Sequence, residues 1–438
     1  MSALAMITSL FFLWICSDIA LGTSWKDHVT NSSWYDASCR DDANLDQVEV
    51  FTTDAGVAFV RTPDDQFTNL AEAGFPFKPK YVTVEGLRMH FVDEGPENAE
   101  VTILCLHGQP TWSYLYRKMI PKFAQEGFRV IAPDLIGMGR SDKPLELNFH
   151  KFLTHVRLMK AFISALSLQN ITAFVQDWGS MIGIRIIADM PSMFSRVVVA
   201  NGGLRVIDVD NSNPFTMPED KRIDCAHERT FMNMVMERRR QERLVSWEAG
   251  FDVWIKFAMT NPTWNPSDLF SISASEKAAY DAPFLTILHC SGPRMLPSMV
   301  TGFVEPEIGN RAAFARLGNF TQPWLQLAGE RDRNLGSPEN QQRFINHVPG
   351  AKAHSQEHKR YPTAGHFIQD DAGEEVADDV VAFIRATSGT NNDGSSGTRS
   401  ITSSSRTSGP AANSSPIFVG GHLAPVLTFL SWAQLFFL

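Results

Sequence analysis

The chain has 438 residues, of which 44% are hydrophobic and 20% charged, a composition that fits one large globular domain or a domain with an insertion. The formal net charge of −9 argues against a nucleic acid partner. The sequence contains no zinc-type Cys/His spacing and no glycine-rich phosphate loop after a strand, so we expect neither a metal nor an organic cofactor.

The amino terminus has the features of a secretory signal peptide. Ala5–Ile19 is mostly apolar, and the small residues of Ala20–Gly22 suit cleavage. A membrane anchor is the alternative interpretation, although this run is short for a hydrocarbon core of ~30 Å. We therefore expect the protein to enter the secretory pathway.

Short apolar runs alternate with helix-length segments from residue 101 onward. Such runs are typical of a parallel sheet that is buried on both faces. We predict five strands, at Val101–Leu106, Phe128–Ala132, Ile171–Val175, Arg196–Ala200 and Pro323–Leu327. Helices are predicted at Leu153–Leu168 and, after the last strand, at Glu374–Ala386.

The alternation stops between Leu204 and Gly318. This stretch is rich in Met, Trp, Arg and Glu and has a mainly helical character. We interpret it as an inserted helical cap that covers the carboxyl ends of the strands, where ligands bind in open α/β sheets.

A segment with the layout of a nucleophile elbow, Val175–Ser180, follows one predicted strand and precedes a helix. Its tip is Asp177, where a serine usually stands. An aspartate that caps the following helix is the alternative. Asp332 follows a late strand, and His366 precedes the final helix. This chain order of nucleophile, acid and histidine is that of α/β-hydrolases. The sequence thus predicts an α/β-hydrolase core, with a mostly parallel sheet and an inserted helical cap.

An aspartate nucleophile determines the chemistry. A carboxylate can displace a leaving group from an sp³ carbon and form an alkyl ester. Water activated by His366 can then attack the ester carbonyl and regenerate the carboxylate. In this scheme Asp332 orients the imidazole and stabilises its charged form.

The segment Leu104–Trp112 contains a His-Gly turn directly after a strand. Its backbone N–H groups, with that of Trp178, are suited to form an oxyanion hole. The side-chain amide of Gln109 and the indole N–H of Trp178 are donors without negative charge. Such donors suit a departing halide.

Several of these motifs together resemble the haloalkane dehalogenases. The similar segments are Arg61–Leu70, Leu104–Pro121, Ile131–Pro144 and Gln176–Gly179. The resemblance extends from about Phe59 to Arg385 and is weakest in the cap. It implies hydrolysis of haloalkanes to alcohol and halide, with a small halogenated molecule as substrate.

Carried over residue by residue, the resemblance implies that Asp177 is the nucleophile and His366 the base. One subfamily takes its acid from a Glu after the strand that here ends at Asn201, which cannot act as an acid. The other subfamily uses an Asp after the next strand, and Asp332 matches that position.

In the second subfamily a cap tryptophan and the elbow tryptophan bind halide together. The segment Phe251–Trp254 resembles the one that carries it, so Trp254 is the candidate and Trp264 the alternative; either residue can instead belong to the core of the cap. The sequence departs from the family at Gln109, where Asn or Glu is usual. Gln still offers an amide donor, but its reach differs.

Three other functions are considered. Epoxide hydrolases share the elbow and the triad but usually need a pair of cap tyrosines, and of the six tyrosines only Tyr280 lies in the predicted cap. Coelenterazine-type luciferases resemble the subfamily with the Glu acid, which Asn201 disfavours. A non-catalytic surface binding protein would not require an intact triad.

The carboxyl terminus has the layout of a GPI-anchor signal. Ser388–Ser415 is rich in Ser, Gly, Thr and Asn and is predicted to be a disordered stalk. Small residues end this stalk, and the apolar run Leu423–Leu438 follows after a short spacer. A plain tail anchor is the alternative, and either one would place the protein at the cell surface. Sequons at Asn31, Asn319 and Asn413 are candidate glycan sites, whereas Asn170 precedes a predicted buried strand and is less favoured.

The predicted organisation divides the chain into seven segments. They are a signal peptide (1–22), an N-terminal segment (23–80), the first part of the hydrolase core (81–203), the helical cap (204–318), the second part of the core (319–387), the stalk (388–415) and the hydrophobic carboxyl-terminal signal (416–438).

Overall fold

The computed structural model describes residues 45–206, 273–298, 305–332 and 335–388. The strands within them are β1 (Val50–Thr52), β2 (Ala58–Val60), β3 (Lys80–Val84), β4 (Leu87–Glu94), β5 (Thr102–Leu106), β6 (Arg129–Pro133), β7 (Lys143–Pro144), β8 (Ile171–Gln176), β9 (Phe194–Ala200), β10 (Trp324–Gly329) and β11 (Lys359–Tyr361). The α-helices are α1 (Ile120–Gln125), α2 (Phe152–Ala165), α3 (Asp177–Asp189), α4 (Ala274–Asp281), α5 (Ser291–Ser298), α6 (Glu305–Leu317), α7 (Pro338–His347), α8 (Pro349–Ala353), α9 (Ile368–Asp371) and α10 (Gly373–Thr387).

Eight strands form the central sheet, in the order β11-β10-β9-β8-β5-β6-β4-β3. The strands from β11 to β6 run parallel, while β4 and β3 add an antiparallel edge. A small antiparallel sheet, β1-β2-β7, lies apart from it. The predicted α/β-hydrolase fold with a mostly parallel sheet is therefore confirmed, and the five predicted strands are β5, β6, β8, β9 and β10 with small shifts at their ends.

Both faces of the sheet are buried, as the continuous apolar runs predict. Every residue of β8 and β9 is buried. Alternate strand residues supply two separate hydrophobic cores, because successive side chains point to opposite faces. Ala173 and Val175 pack with α2 and α3 on one side, and Phe174 packs with α1 and α10 on the other. Cys105 lies in the second core as a buried thiol.

The described parts of the predicted cap are helical. They comprise α4, α5 and α6, together with a short 3-10 helix at Ile287–Cys290. Helix α6 packs on the core helix α3, where Arg185 Nη1 donates to Asn310 Oδ1 at 3.2 Å and Arg316 Nε donates to the Ala188 carbonyl at 2.9 Å. Residues 207–272 lie outside the described part of the chain.

Among the described residues, no helix combines the length and hydropathy that crossing a bilayer requires. The predicted signal peptide, most of the stalk and the apolar run Leu423–Leu438 lie outside them.

The start of α3 is pressed against the end of β5. A Cβ atom added at Gly179 would overlap the backbone carbonyl oxygens of Leu106 and His107. Only glycine allows the helix to approach the strand this closely, and this approach brings the first residue of α3 next to the turn that follows β5. The small residue at this place in the elbow is thus required by backbone packing.

We predict that Gly179→Ala lowers the free energy of unfolding by about 3 kcal/mol, near the upper end of overpacking costs, because backbone atoms must move. Gly183→Ala is the matched control on the same helix. There the added Cβ lies 2.7 Å from Cγ1 of Val175, a side-chain atom rather than backbone, and Ala restores ~1 kcal/mol of helix propensity. Denaturant unfolding of both variants measures the difference. Equal losses would show that the strand contact at Gly179 is not the constraint.

Candidate active site

Asp177 lies at the tip of a strained turn between β8 and α3. Its φ angle is +49°, in the left-handed region, which costs about 1–3 kcal/mol for a residue that is not glycine. The turn is held by a hydrogen bond from the Asp177 backbone N–H to the carbonyl of Asn201 at 3.1 Å. This conformation directs the carboxylate toward the turn after β5 rather than along the helix.

The carboxylate of Asp177 is buried and meets two backbone donors. The N–H of Gln109 donates to Oδ1 at 2.7 Å, and the N–H of Trp178 makes a further hydrogen bond. Burial raises the pKa of the Asp177 carboxyl, while His366 and these two N–H groups act against that rise. A Cβ on Gly108 would overlap the carboxylate, so the His-Gly turn needs glycine here.

His107 fixes this turn from behind. Its Nδ1 lies 3.0 Å from the Gly108 carbonyl, and its Nε2 accepts the N–H of Leu135 at 2.9 Å. A ring that donates through Nδ1 and accepts through Nε2 is neutral, and burial also lowers the pKa of His107. His107 therefore positions the Gln109 N–H and takes no part in proton transfer.

The structure brings Asp177, Asp332 and His366 together, although 155 residues of sequence separate Asp177 from Asp332. His366 Nδ1 lies 2.8 Å from Asp332 Oδ2, and His366 Nε2 lies 3.6 Å from Asp177 Oδ2. Because Nδ1 faces a carboxylate, it carries the proton and Nε2 keeps its lone pair. All three side chains are buried.

The electrostatics of His366 reflect two opposed effects. Burial by itself lowers the pKa of the imidazole, but the charge and hydrogen bond of Asp332 raise it, with contributions from Asp177 and Asp371. The net pKa lies above the ordinary histidine value. The site thus favours a positive charge on the imidazole at the moment when it accepts a proton.

Asn201 has a role that the sequence did not indicate. Its Oδ1 accepts the N–H of Gly329 at the end of β10, at 2.8 Å. Its Nδ2 donates to the carbonyls of Gly365 and His366 at 2.6 and 3.0 Å, and its own carbonyl accepts the N–H of Asp177. Through its side-chain amide and its backbone carbonyl, this one buried residue therefore links the segments that carry Asp177, Asp332 and His366. The position of Asn201 directly after β9 was the signal in the sequence for a role at the site. The sequence does not show which groups its side chain bonds.

The candidate halide-binding residues are only partly brought together. Gln109 and Trp178 flank the Asp177 carboxylate with their backbone N–H groups. The Gln109 amide Nε2 donates to the carbonyl of Pro293 in α5 at 2.9 Å, so one of its two N–H groups is already engaged. Trp254 and its alternative Trp264 lie outside the described residues.

The comparisons with known proteins agree with this geometry. Residues 101–248 match the family model of the alpha/beta hydrolase fold. The chain is 38% identical over 339 residues to a haloalkane dehalogenase of Mycobacterium marinum, an alignment that covers 74% of this chain and 99% of that protein. It is 35% identical over 339 residues to a haloalkane dehalogenase of Psychrobacter cryohalolentis, covering 74% of this chain and 97% of that one.

A solved structure agrees as well. It is haloalkane dehalogenase DpaA from Paraglaciecola agarilytica NO2, described as tetrameric, which is 32% identical with a TM-score of 0.56 and matches 73% of this chain and 96% of its own. Elbow, triad geometry and relatives together give one conclusion. The chain belongs to the haloalkane dehalogenase family of the α/β-hydrolase fold.

Proposed function

We propose that this haloalkane dehalogenase hydrolyses carbon–halogen bonds through an ester on Asp177, with His366 as the base and Asp332 as its acid partner. The orientation of the Asp177 carboxylate carries the proposal. Oδ1 is held by the Gln109 N–H at 2.7 Å, whereas Oδ2 faces His366 Nε2 at 3.6 Å. The two oxygens are thus assigned to different tasks before any substrate binds.

In the first step Oδ2 attacks the carbon that bears the halogen. A C–O bond forms, the carbon–halogen bond breaks, and the halide leaves with the bonding electron pair. The turn at φ +49° holds the carboxylate in place for this attack. The burial that raises the pKa of Asp177 also strips water from the carboxylate, which makes it a better nucleophile.

In the second step water attacks Cγ of the ester. His366 Nε2 takes the proton, and the Asp332 carboxylate at Nδ1 stabilises the imidazolium. Negative charge develops on Oδ1, where the N–H of Gln109 already lies, and the N–H of Trp178 bonds the same carboxyl group. Collapse of this intermediate returns the proton to the departing oxygen and releases the alcohol. The second proton of the water, left on the new carboxyl group, is lost to solvent, which restores the carboxylate.

The two steps are separable by mutation. His366→Phe keeps the nucleophile but removes the base, so with 1,2-dibromoethane it is expected to release about one bromide per active site and then stop. Intact-mass analysis and peptide mapping are expected to find one alkyl group, on Asp177. The parent enzyme turns over and releases alcohol and halide in equal amounts, and Asp177→Ala is the control with neither burst nor adduct. An adduct on any other residue would refute the assignment of Asp177.

We further propose that Gln109, Trp178 and Trp254 bind the departing halide as neutral donors. The support is the position of Gln109 and Trp178 beside the Asp177 carboxylate, together with the resemblance of Phe251–Trp254. Since the Gln109 amide also donates to the Pro293 carbonyl, it has one N–H group left for the halide.

Trp178→Phe and Trp254→Phe are each expected to weaken bromide binding, measured by quenching of tryptophan fluorescence, and to slow halide release by an amount equivalent to ~2.7–4 kcal/mol, as for one oxyanion-hole donor. Trp264→Phe is the matched control in the same segment. If Trp254→Phe bound bromide as strongly as the parent, the cap donor to the halide would have to be another residue. Gln109→Asn tests the reach of the amide, because Asn is too short to keep both the Pro293 contact and the site.

The described geometry disfavours an epoxide hydrolase. That chemistry needs a tyrosine hydroxyl to protonate the epoxide oxygen, and Tyr280 is the tyrosine of the predicted cap. Its hydroxyl is buried and donates to Asp370 Oδ2 at 2.6 Å, beside Arg117. Because it is committed to a carboxylate, it is poorly placed as a proton donor to substrate. Turnover of styrene oxide without halide release from any haloalkane would reverse this preference.

We also propose that the enzyme acts at the cell surface on a GPI anchor. The support is the apolar run Ala5–Ile19, the small-residue site and the apolar run Leu423–Leu438. Helix α10 ends at Thr387, directly before the Ser- and Gly-rich segment. Asn319 and its sequon partner Thr321 are exposed, as glycosylation requires. At Asn170, by contrast, the side chain bonds the Glu100 carbonyl and Thr172 is buried.

Expressed in animal cells, the protein is expected to appear at the surface and to be released by a phosphatidylinositol-specific phospholipase. Deletion of residues 423–438 is expected to send it into the medium, because the anchor signal is lost. Asn319→Gln is expected to lower the mass of the secreted form by one glycan, with Asn170→Gln as the matched control. If protein at the surface resisted the phospholipase, an uncleaved apolar tail would be favoured over a GPI anchor.

A further inference from the structure

Gln176, the last residue of β8, contacts the base from the position just before the nucleophile. Its side chain is fully buried. The amide Nε2 lies 3.1 Å from His366 Nε2 and 3.2 Å from the His366 carbonyl oxygen. The amide Oε1 is also buried, and it has no hydrogen-bond partner among the residues that the structure describes.

The orientation of this amide follows from its surroundings. A carbonyl oxygen only accepts hydrogen bonds, so the NH₂ group must face the carbonyl of His366. A flipped amide would place two acceptor oxygens against each other. The nitrogen of Gln176 is therefore anchored on His366, and its oxygen is the group left unpaired. A buried acceptor without a partner is unfavourable, which calls for an explanation.

Three carboxylates among the described residues act on His366. Asp332 lies at Nδ1, Asp177 faces Nε2, and Asp371 acts from α9, where it accepts the N–H of Gly365. These carboxylates favour the imidazolium, and they raise the pKa of His366 against the effect of burial. The amide of Gln176 is the neutral donor at Nε2 and favours the opposite state, in which the lone pair is available to take a proton.

We propose that Gln176 is a positioning residue for the hydrolytic water: its nitrogen, anchored on the His366 carbonyl, holds the ring, and its Oε1 accepts a hydrogen bond from the water that attacks the ester. The proposal rests on the function assigned to Asp177 and His366. The water takes the place of the amide N–H at His366 Nε2, with one hydrogen directed to Nε2 and the other to Oε1. Both acceptors together orient the water oxygen toward Cγ of Asp177.

The step balances without any bond change at Gln176. The water oxygen forms a bond to Cγ of Asp177, and its proton moves to His366 Nε2. The ester C–O bond then breaks, and this proton passes to the alcohol oxygen. The second proton of the water leaves the new carboxyl group for solvent, and Asp177 is a carboxylate again. Gln176 acts only on the geometry of this step, so its loss affects hydrolysis of the ester and leaves the preceding attack on carbon intact.

The test separates the two steps in the full-length enzyme with 1,2-dibromoethane. Gln176→Met is expected to release a burst of one bromide per active site at the parental rate, and then to turn over at least roughly tenfold more slowly, a part of the 10²–10⁴ that a positioned base contributes. Intact-mass analysis is expected to show the ester on Asp177 during turnover. Gln369→Met is the matched control, because Gln369 is equally buried but its side-chain amide makes no hydrogen bond to His366.

Gln176→Glu adds a second measurement, the pH profile of ester hydrolysis, which would not change if Gln176 had only a structural role. Glu keeps an acceptor oxygen but loses the donor and places a fourth carboxylate beside His366. The acid limb of the pH profile for ester hydrolysis is therefore expected to shift to higher pH, with the rate recovering toward the parent at high pH, whereas Gln176→Met stays slow at every pH. Because Glu is nearly isosteric with Gln, this variant decides the matter if Gln176→Met unfolds.

Three results would overturn the proposal. The first is that Gln176→Met slows the bromide burst as much as the hydrolysis. The second is that Gln176→Met and Gln176→Glu lose the same activity at all pH values, and the third is that both turn over like the parent. Failure of the underlying function is distinguishable, because His366→Phe would then form no ester on Asp177 whatever residue stands at 176.

Discussion

The structure of this enzyme depends on stabilising the charged carboxylate of Asp177 in a buried position. An unpaired buried charge is costly, so Asp177 requires the N–H of Gln109 at 2.7 Å, the N–H of Trp178 and a facing imidazole. These donors reach the carboxylate only because Gly108 and Gly179 let the turn after β5 approach the elbow. In the proposed mechanism the same donors stabilise the oxygen that becomes negative during ester hydrolysis, so one set of contacts would serve folding and catalysis.

The second constraint is alignment of three segments that are remote in sequence. Asn201 satisfies it by bonding the end of β10, the carbonyls around His366 and the elbow N–H. The residue type at this position therefore separates two designs of one site. The family resemblance implies that a glutamate there supplies the acid itself. Here an asparagine bridges the strand ends instead, and the acid that we propose is Asp332, which lies 2.8 Å from His366.

Much of this fold could be predicted because its signals are local. Continuous apolar runs marked β5, β6, β8, β9 and β10, and small residues beside a reactive side chain marked the elbow. The strands β3, β4 and β11 contain charged residues, so they carry no such run and were not predicted. The chain order of three motifs indicated the site. Contacts such as Gln109 with Pro293, or Gln176 with His366, join residues nearly 200 positions apart and have no local signature.

In the proposed mechanism an oxygen of the enzyme, and not of water, first bonds the substrate carbon. A single turnover in ¹⁸O-labelled water, with enzyme in excess over 1,2-dibromoethane, tests this order of bond formation. The alcohol from this turnover is expected to carry unlabelled oxygen, and peptide mapping is expected to find ¹⁸O in the carboxylate of Asp177. Labelled alcohol beside an unlabelled Asp177 would refute the mechanism, since it would mean that water displaces the halide without an ester.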